Sequence, residues 1–236
     1  TIKSENLALQ KYEIKSPDYA LLERPVTISP APNHAPMRYT LRDGVWVSKQ
    51  ANKDSVRLMF TGDITCFGKQ FPEAETENGY SFHYEFDAVR PLFAAADLVV
   101  GNLETMIFPA APYRSERLVA EQNYYCNAPL EFLDAVRCAG FDVVTNANNH
   151  DLDTGAAGIG ETIDYIEQYG LIQTGTFKTE KQRFVLLDVC GFKIAVVAFA
   201  TEHNMLENNL TKEGARFLLN DYSAKRAAQI AALDIG

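Results

Sequence analysis

Three short polar clusters carry side chains able to do chemistry, and each directly follows an apolar run. The first is Thr61-Gly62-Asp63, the second Gly101-Asn102-Leu103-Glu104, and the third Asn148-Asn149-His150 with Asp153 just beyond. Carboxylates and carboxamides are hard oxygen donors, and an imidazole adds a borderline nitrogen. Such a set suits Mg²⁺, Mn²⁺ or Zn²⁺, as one ion or two. A divalent ion there would polarise a phosphoryl or acyl oxygen and bring bound water toward ionisation near neutral pH. His150 is the natural proton donor or charge stabiliser. Taken singly, each cluster has a plainer reading. Aspartate after a strand shapes turns and caps helices, Glu104 suits a solvated loop, and Asn-Asn-His suits an Asx-turn. Their joint position is what argues for a site.

That position depends on the elements before each cluster. Short apolar strands are expected at residues 56–60, 97–100 and 141–144. Helical patterns fill residues 83–96, 129–139, 155–169 and 222–235; Pro129 sits in a first turn, and Gly140 and Gly170 act as stops. Strands alternating with helices of this length predict an α/β domain with a largely parallel sheet. Ligands bind beyond the carboxyl ends of such strands, so parallel neighbours would gather the three clusters at one end. Two hairpins are also expected. One turns at Asp43-Gly44 within residues 39–47, and the other at Cys190-Gly191 between residues 183–189 and 192–200.

The 236 residues are 47% hydrophobic and 22% charged, an ordinary globular composition. A chain this long buries about 70–75% of its unfolded surface and folds without a disulfide or metal staple. Residues 1–54 hold five of the ten prolines and read as an extension wrapped on a domain spanning residues 55–236. Twenty-two basic against 31 acidic residues give a net charge of −9, which argues against nucleic acid as a partner. The cysteines at 66, 126, 138 and 190 form no CxxC pair and read as reduced, packed thiols. No glycine-rich phosphate loop follows the first strand, which disfavours a nucleotide-binding domain. No apolar run is long enough to span a membrane. The chain opens on Thr1 and stops at Gly236 just after a helical pattern. It is therefore expected to be part of a longer protein, with room for an anchor upstream.

The order and spacing of Thr61-Gly62-Asp63, Gly101-Asn102-Leu103-Glu104 and Ala147-Asn148-Asn149-His150, followed by Asp153-Thr154-Gly155, resemble the CapA family over residues 56–236. These are poly-γ-glutamate capsule-synthesis proteins related to the calcineurin-like metallophosphoesterases. Thr174-Gly175 resembles the family's next strand end. The resemblance implies a layered α/β/β/α sandwich of the metallo-dependent phosphatase type, incomplete at its C-terminus. It implies Asp63, Asn102, Glu104 and Asn149 as metal ligands. It also implies His150 beside a bound anionic group, with Asp153 orienting the loop through it. Metallophosphoesterases carry Asp-x-His on the first strand, where this chain has Asp63-Ile64-Thr65. They carry Gly-Asp-x-x-Asp on the second, where this chain has Gly101-Asn102-Leu103-Glu104.

Two functions follow from that likeness. One is a bacterial cell-envelope protein of capsule polymer synthesis or export, with a hydrolytic site for a phosphoester or anionic polymer. The other is a noncatalytic accessory protein with a degenerate metal site, binding such a polymer or a membrane-bound synthesis complex. Either would lie outside the cytoplasm or at the membrane if an anchor precedes Thr1. Other chemistry-bearing residues receive structural readings. His34 and His83 lie away from the strand ends, Cys66 reads as a packed thiol, Tyr124 and Tyr125 as loop packing, and His203 as an exposed loop histidine.

Overall fold

Alternating apolar residues along the strands build two sheets that share one interior. In the computed structural model of the protein, the structure describes residues 36–66, 68–113, 126–179, 183–204, 206 and 218–233. The first sheet has the order β1-β2-β9-β10, from β1 (Tyr39–Arg42), β2 (Val45–Ser48), β9 (Val185–Val189) and β10 (Phe192–Val196). Its two antiparallel hairpins meet where β2 and β9 run parallel. Both hairpin turns lie where expected. Asp43 and Gly44 take left-handed backbone angles, φ 48° and 83°, as do Cys190 and Gly191.

The second sheet is parallel throughout, in the order β3-β6-β7-β8. Its strands are β3 (Leu58–Ile64), β6 (Leu98–Leu103), β7 (Val143–Thr145) and β8 (Ile172–Thr174). Leu98, Val100, Val143 and Ile172 pack on Tyr39, Leu187, Val189 and Val196 of the other sheet. From the opposite face, Val99, Leu103 and Val144 pack on Phe132, Leu133 and Val136. The last three belong to α3 (Leu130–Ala139), the main helix of that layer. Helices, parallel sheet and mixed sheet thus stack in that order, an α/β architecture. A two-stranded ribbon, β4 (Glu75–Thr76) with β5 (Gly79–Tyr80), lies outside both sheets.

The expected helix over residues 83–96 is divided. A 3₁₀ turn covers His83–Phe86, and after residues 87–89 the separate helix α2 (Arg90–Ala94) begins. Pro91 explains the break. It has no N–H to donate and it disfavours helical backbone in the residue before it, so it serves as a first-turn residue. Helix α1 (Gln70–Ala74) precedes the ribbon. Helix α4 (Gly155–Gln168) follows the third cluster, and α5 (Ala224–Ala231) is capped by the Ser223 hydroxyl, which accepts from Arg226 N–H at 3.3 Å.

Strand β3 runs further than expected, through Asp63 to Ile64, and forms the edge of its sheet. Phe60 there is 63% exposed. The register against β6 shifts once. Phe60 pairs with Val100, but Asp63 pairs with Asn102, so one extra residue is inserted between them. In an unshifted ladder Asp63 would face Leu103 and point to the other side of the sheet. The bulge therefore sets the Asp63 side chain in one row with Asn102. Gly101 leaves the room for it: a methyl group there would stand 2.5 Å from Ile64 Cδ1, 2.6 Å from Phe141 Cε1 and 2.8 Å from Thr61 Oγ1.

Candidate functional site

The row Asp63, Asn102, Thr145 crosses the carboxyl ends of β3, β6 and β7. Asn102 is its hub. Its Nδ2 donates to Asp63 Oδ1 at 2.7 Å. Its Oδ1 accepts from Thr145 Oγ1 at 3.4 Å and from Asn148 Nδ2 at 3.2 Å. Asn148 also donates to the Leu103 carbonyl at 3.0 Å, and its Oδ1 accepts the His150 N–H at 3.0 Å. The Asx-turn and the site are thus one structure: Asn148 shapes the loop and ties it to β6.

Glu104, the residue after β6, completes the cluster. Thr65 Oγ1 donates to its Oε2 at 3.3 Å, and His150 Nε2 lies 3.9 Å from its Oε1. Burial and the adjoining Asp63 carboxyl raise the Glu104 pKa, while His150 and Thr65 pull it down. Among the described residues no lysine or arginine pairs with Asp63 or Glu104.

His150 is held from behind. Its Nδ1 donates to Asp153 Oδ2 at 2.7 Å, and Asp153, only 2% exposed, also accepts the backbone N–H of Cys126. Burial works to lower the His150 pKa. Asp153 and Cys126 outweigh it, and the imidazole is pushed up to about 10. A histidine raised above its ordinary 6.5 contributes stability that is complete below that value and lost as pH rises through the folded-state value. With EDTA present, the urea midpoint of the chain is expected to fall between about pH 7 and 10. Asp153→Asn should flatten that fall. A midpoint that holds level in the unaltered chain would refute the coupling.

The remaining singled-out residues fall as follows. Asn149 is half-buried and donates from Nδ2 to Asn204 Oδ1 at 3.3 Å. His203 is not an exposed loop histidine but a buried one, 2% exposed. Its Nδ1 lies 2.6 Å from Asp151 Oδ1 and its Nε2 2.9 Å from Asp221 Oδ1, because the chain after β10 folds back against the Asn148–Asp153 loop. Cys66 is fully buried and its thiol pKa is raised by burial, so it offers no nucleophile. His83 pairs with Asp134 at 3.0 Å, away from the strand tips. His34, Tyr124 and Tyr125 lie outside the described residues.

Thr145 and Asn204 have no expected role in the sequence, and Thr65 stands there only as a departure from the metallophosphoesterase histidine. Thr65 and Thr145 stand beside the motifs and could have been found there. Asn204 follows a strand end by several residues, and only the return of the chain brings it in. A groove of about 540 Å³ opens on the helix side of β3; Asp63 and Thr65 line its polar end, and Phe86, Phe93, Phe132 and Phe141 its apolar walls.

Two sets of three His, Cys or acidic ligand atoms lie within 4.8 Å of one another among the described residues: His83, Asp134, Cys138 and Cys126, His150, Asp153. Asp63 and Glu104 belong to neither. Their donor set is instead two carboxylates pressed together, with the His150 imidazole beside Glu104 and no lysine or arginine partner among the described residues, which fits a hard divalent cation.

The family model for the bacterial capsule synthesis protein PGA_cap matches residues 57–234. The capsule biosynthesis protein CapA of Bacillus anthracis is 29% identical over 153 residues, covering 64% of this chain and 36% of its own. The PGA biosynthesis protein CapA of Bacillus subtilis (strain 168) is 25% identical over 154 residues, covering 64% and 39%. The uncharacterized protein y4sH of Sinorhizobium fredii is 29% identical over 126 residues, covering 52% and 27%. The matched stretches thus span well under half the length of these relatives. With nearly the whole described domain matched, the chain belongs to the bacterial capsule synthesis family PGA_cap, the CapA family.

Proposed function

We propose that the chain carries a divalent-cation site of metallophosphoesterase type and serves the synthesis or export of poly-γ-glutamate, or a chemically similar anionic polymer, in a bacterial cell envelope. One observation carries this reading. Asp63 and Glu104 face each other at the strand tips, burial and that contact raise the Glu104 carboxyl, and among the described residues no lysine or arginine pairs with either, His150 alone standing 3.9 Å from Glu104. The strand order and the helix–sheet–sheet stacking agree with the α/β/β/α sandwich of such enzymes.

In this reading Asp63, Glu104 and Asn149 hold Mn²⁺, Mg²⁺ or Zn²⁺. Asn102, whose oxygen already accepts two protein donors, orients Asp63 from the ligand row. The ion supplies Lewis acidity and an ionisable water when bound. The chain's own residues do the rest. Asp153 commits Nδ1 of His150, leaving Nε2 to hold a proton toward a leaving group or an anionic oxygen. Relatives named for capsule biosynthesis favour a cell-envelope role, outside the cytoplasm or at the membrane. Among the described residues no helix is long and apolar enough to cross a membrane. A phosphoester or polymer substrate and a membrane-bound synthesis complex are the partners this reading names.

The test is hydrolysis of bis(p-nitrophenyl) phosphate with Mn²⁺. Activity that falls about 100-fold or more in Asp63→Ala supports the enzyme. Activity unchanged in that variant refutes the assignment of Asp63. One observation favours a noncatalytic accessory role instead: Thr65, spent on Glu104, stands where a metallophosphoesterase has histidine. Mn²⁺ uptake without hydrolysis is the result that reading predicts.

A further inference from the structure

We infer that Asn204 is a positioning residue of the strand-tip site, fixing which atom of the Asn149 side chain is presented to a bound cation. The inference rests on the cation reading above and adds a fourth chain segment to the site.

A carboxamide has one donating and one accepting end, and only the oxygen ligates a hard cation. Asn149 Nδ2 is committed to Asn204 Oδ1 at 3.3 Å. That bond leaves Asn149 Oδ1 as the end free for a ligand. Without it, the amide is free among the described residues to turn its NH₂ toward the ion. Asn204 Nδ2 lies 3.5 Å from His150 Nδ1, whose proton is already given to Asp153, so this approach places Asn204 beside the histidine without a hydrogen bond to it.

The placement of Asn204 is specific. Its backbone has φ 50°, a left-handed conformation that asparagine tolerates better than most residues with a Cβ. The residue before it is the buried His203, whose two ring nitrogens are bound by Asp151 and Asp221. Asp151 lies two residues after Asn149 in the same loop. Asp221 is fixed across a bridge to Ala200, with Tyr222 N–H donating to the Ala200 carbonyl at 2.8 Å. His203 therefore clamps the segment carrying Asn204 to the loop carrying Asn149. Asn204 itself is exposed and adds little to the core, so its hydrogen bond to Asn149 is its main role.

The test compares Asn204→Gly with Asn204→Asp in the full 236-residue chain, following Mn²⁺ uptake by electron paramagnetic resonance. Glycine keeps the left-handed backbone and removes the acceptor. Aspartate keeps an acceptor for Asn149 Nδ2. Loss of a group that orients a metal ligand typically costs 10–100-fold in affinity. Asn204→Gly is expected to weaken Mn²⁺ binding by about tenfold with the thermal melt unchanged, and Asn204→Asp to bind within about threefold of the unaltered chain. Equal binding by the glycine variant and the unaltered chain overturns the inference and leaves the cation reading standing. So does a loss shared by the aspartate variant, since the acceptor would then be irrelevant. An unaltered chain that takes up no Mn²⁺ overturns both.

Discussion

Asp153→Ala is expected to destabilise the protein by about 3–5 kcal/mol, the range for stripping one partner from a buried charged pair. Asp153 is 2% exposed and holds two groups: the His150 ring at 2.7 Å and the Cys126 backbone N–H. Alanine removes both contacts. It also has a signature that a generic core lesion lacks. Burial already works to lower the His150 pKa, and Asp153 is the first of the contacts that lift it to about 10. With Asp153 gone, the imidazole should titrate far lower, toward or below its ordinary 6.5. Urea unfolding gives the first quantity and NMR titration of the His150 ring the second. A variant that unfolds like the parent, with His150 still protonated above pH 8, would contradict this account.

Gly175→Ala should cost about 3 kcal/mol or more through backbone strain and overpacking. Gly175 follows β8 with φ 127°, a region closed to residues with a Cβ. A methyl group there would stand 2.4 Å from the Ala147 nitrogen and 3.0 Å from the Asn146 nitrogen. Those are backbone atoms, so no side chain can swing aside. The contact lies where the loop leaves β7. Asn146 N–H donates to the Thr174 carbonyl at 3.0 Å, and Asn146 Oδ1 accepts from Thr176 N–H at 2.9 Å and from Gln173 Nε2 at 2.7 Å. Pushing this joint apart moves Asn148 away from Asn102 and His150 away from Glu104. Thermal unfolding should show the loss, and Mn²⁺ affinity should fall in whatever variant remains folded. A melting temperature within about 2 °C of the parent would refute the packing argument.

Much of this was legible in the residues. Runs such as Leu98-Val99-Val100 mark strands buried on both faces, and polar residues directly after them mark the carboxyl ends where parallel sheets gather ligands. The turns at Asp43-Gly44 and Cys190-Gly191 follow from the need for left-handed backbone at a hairpin's corner. What stayed hidden depends on register and on distant segments. The extra residue between Phe60 and Asp63 leaves no sign in periodicity, yet it decides which face Asp63 takes. Pro91 marked the break in the 83–96 pattern, but that pattern's apolar spacing outweighed it. His203 looked exposed because nothing local shows that Asp151, 52 residues earlier, closes over it. Asn148 and Asn149 look alike in the third cluster, and only the fold of the loop makes Asn148 the one that bonds to Asn102.

The most direct measurement is anomalous diffraction from crystals of the chain soaked in Mn²⁺. The account predicts a peak at the ends of β3 and β6, within ligand distance of the Asp63 and Glu104 carboxylates and absent from Asp63→Ala crystals. A peak only among Cys126, His150 and Asp153, or no peak at the strand tips at saturating Mn²⁺, would contradict it.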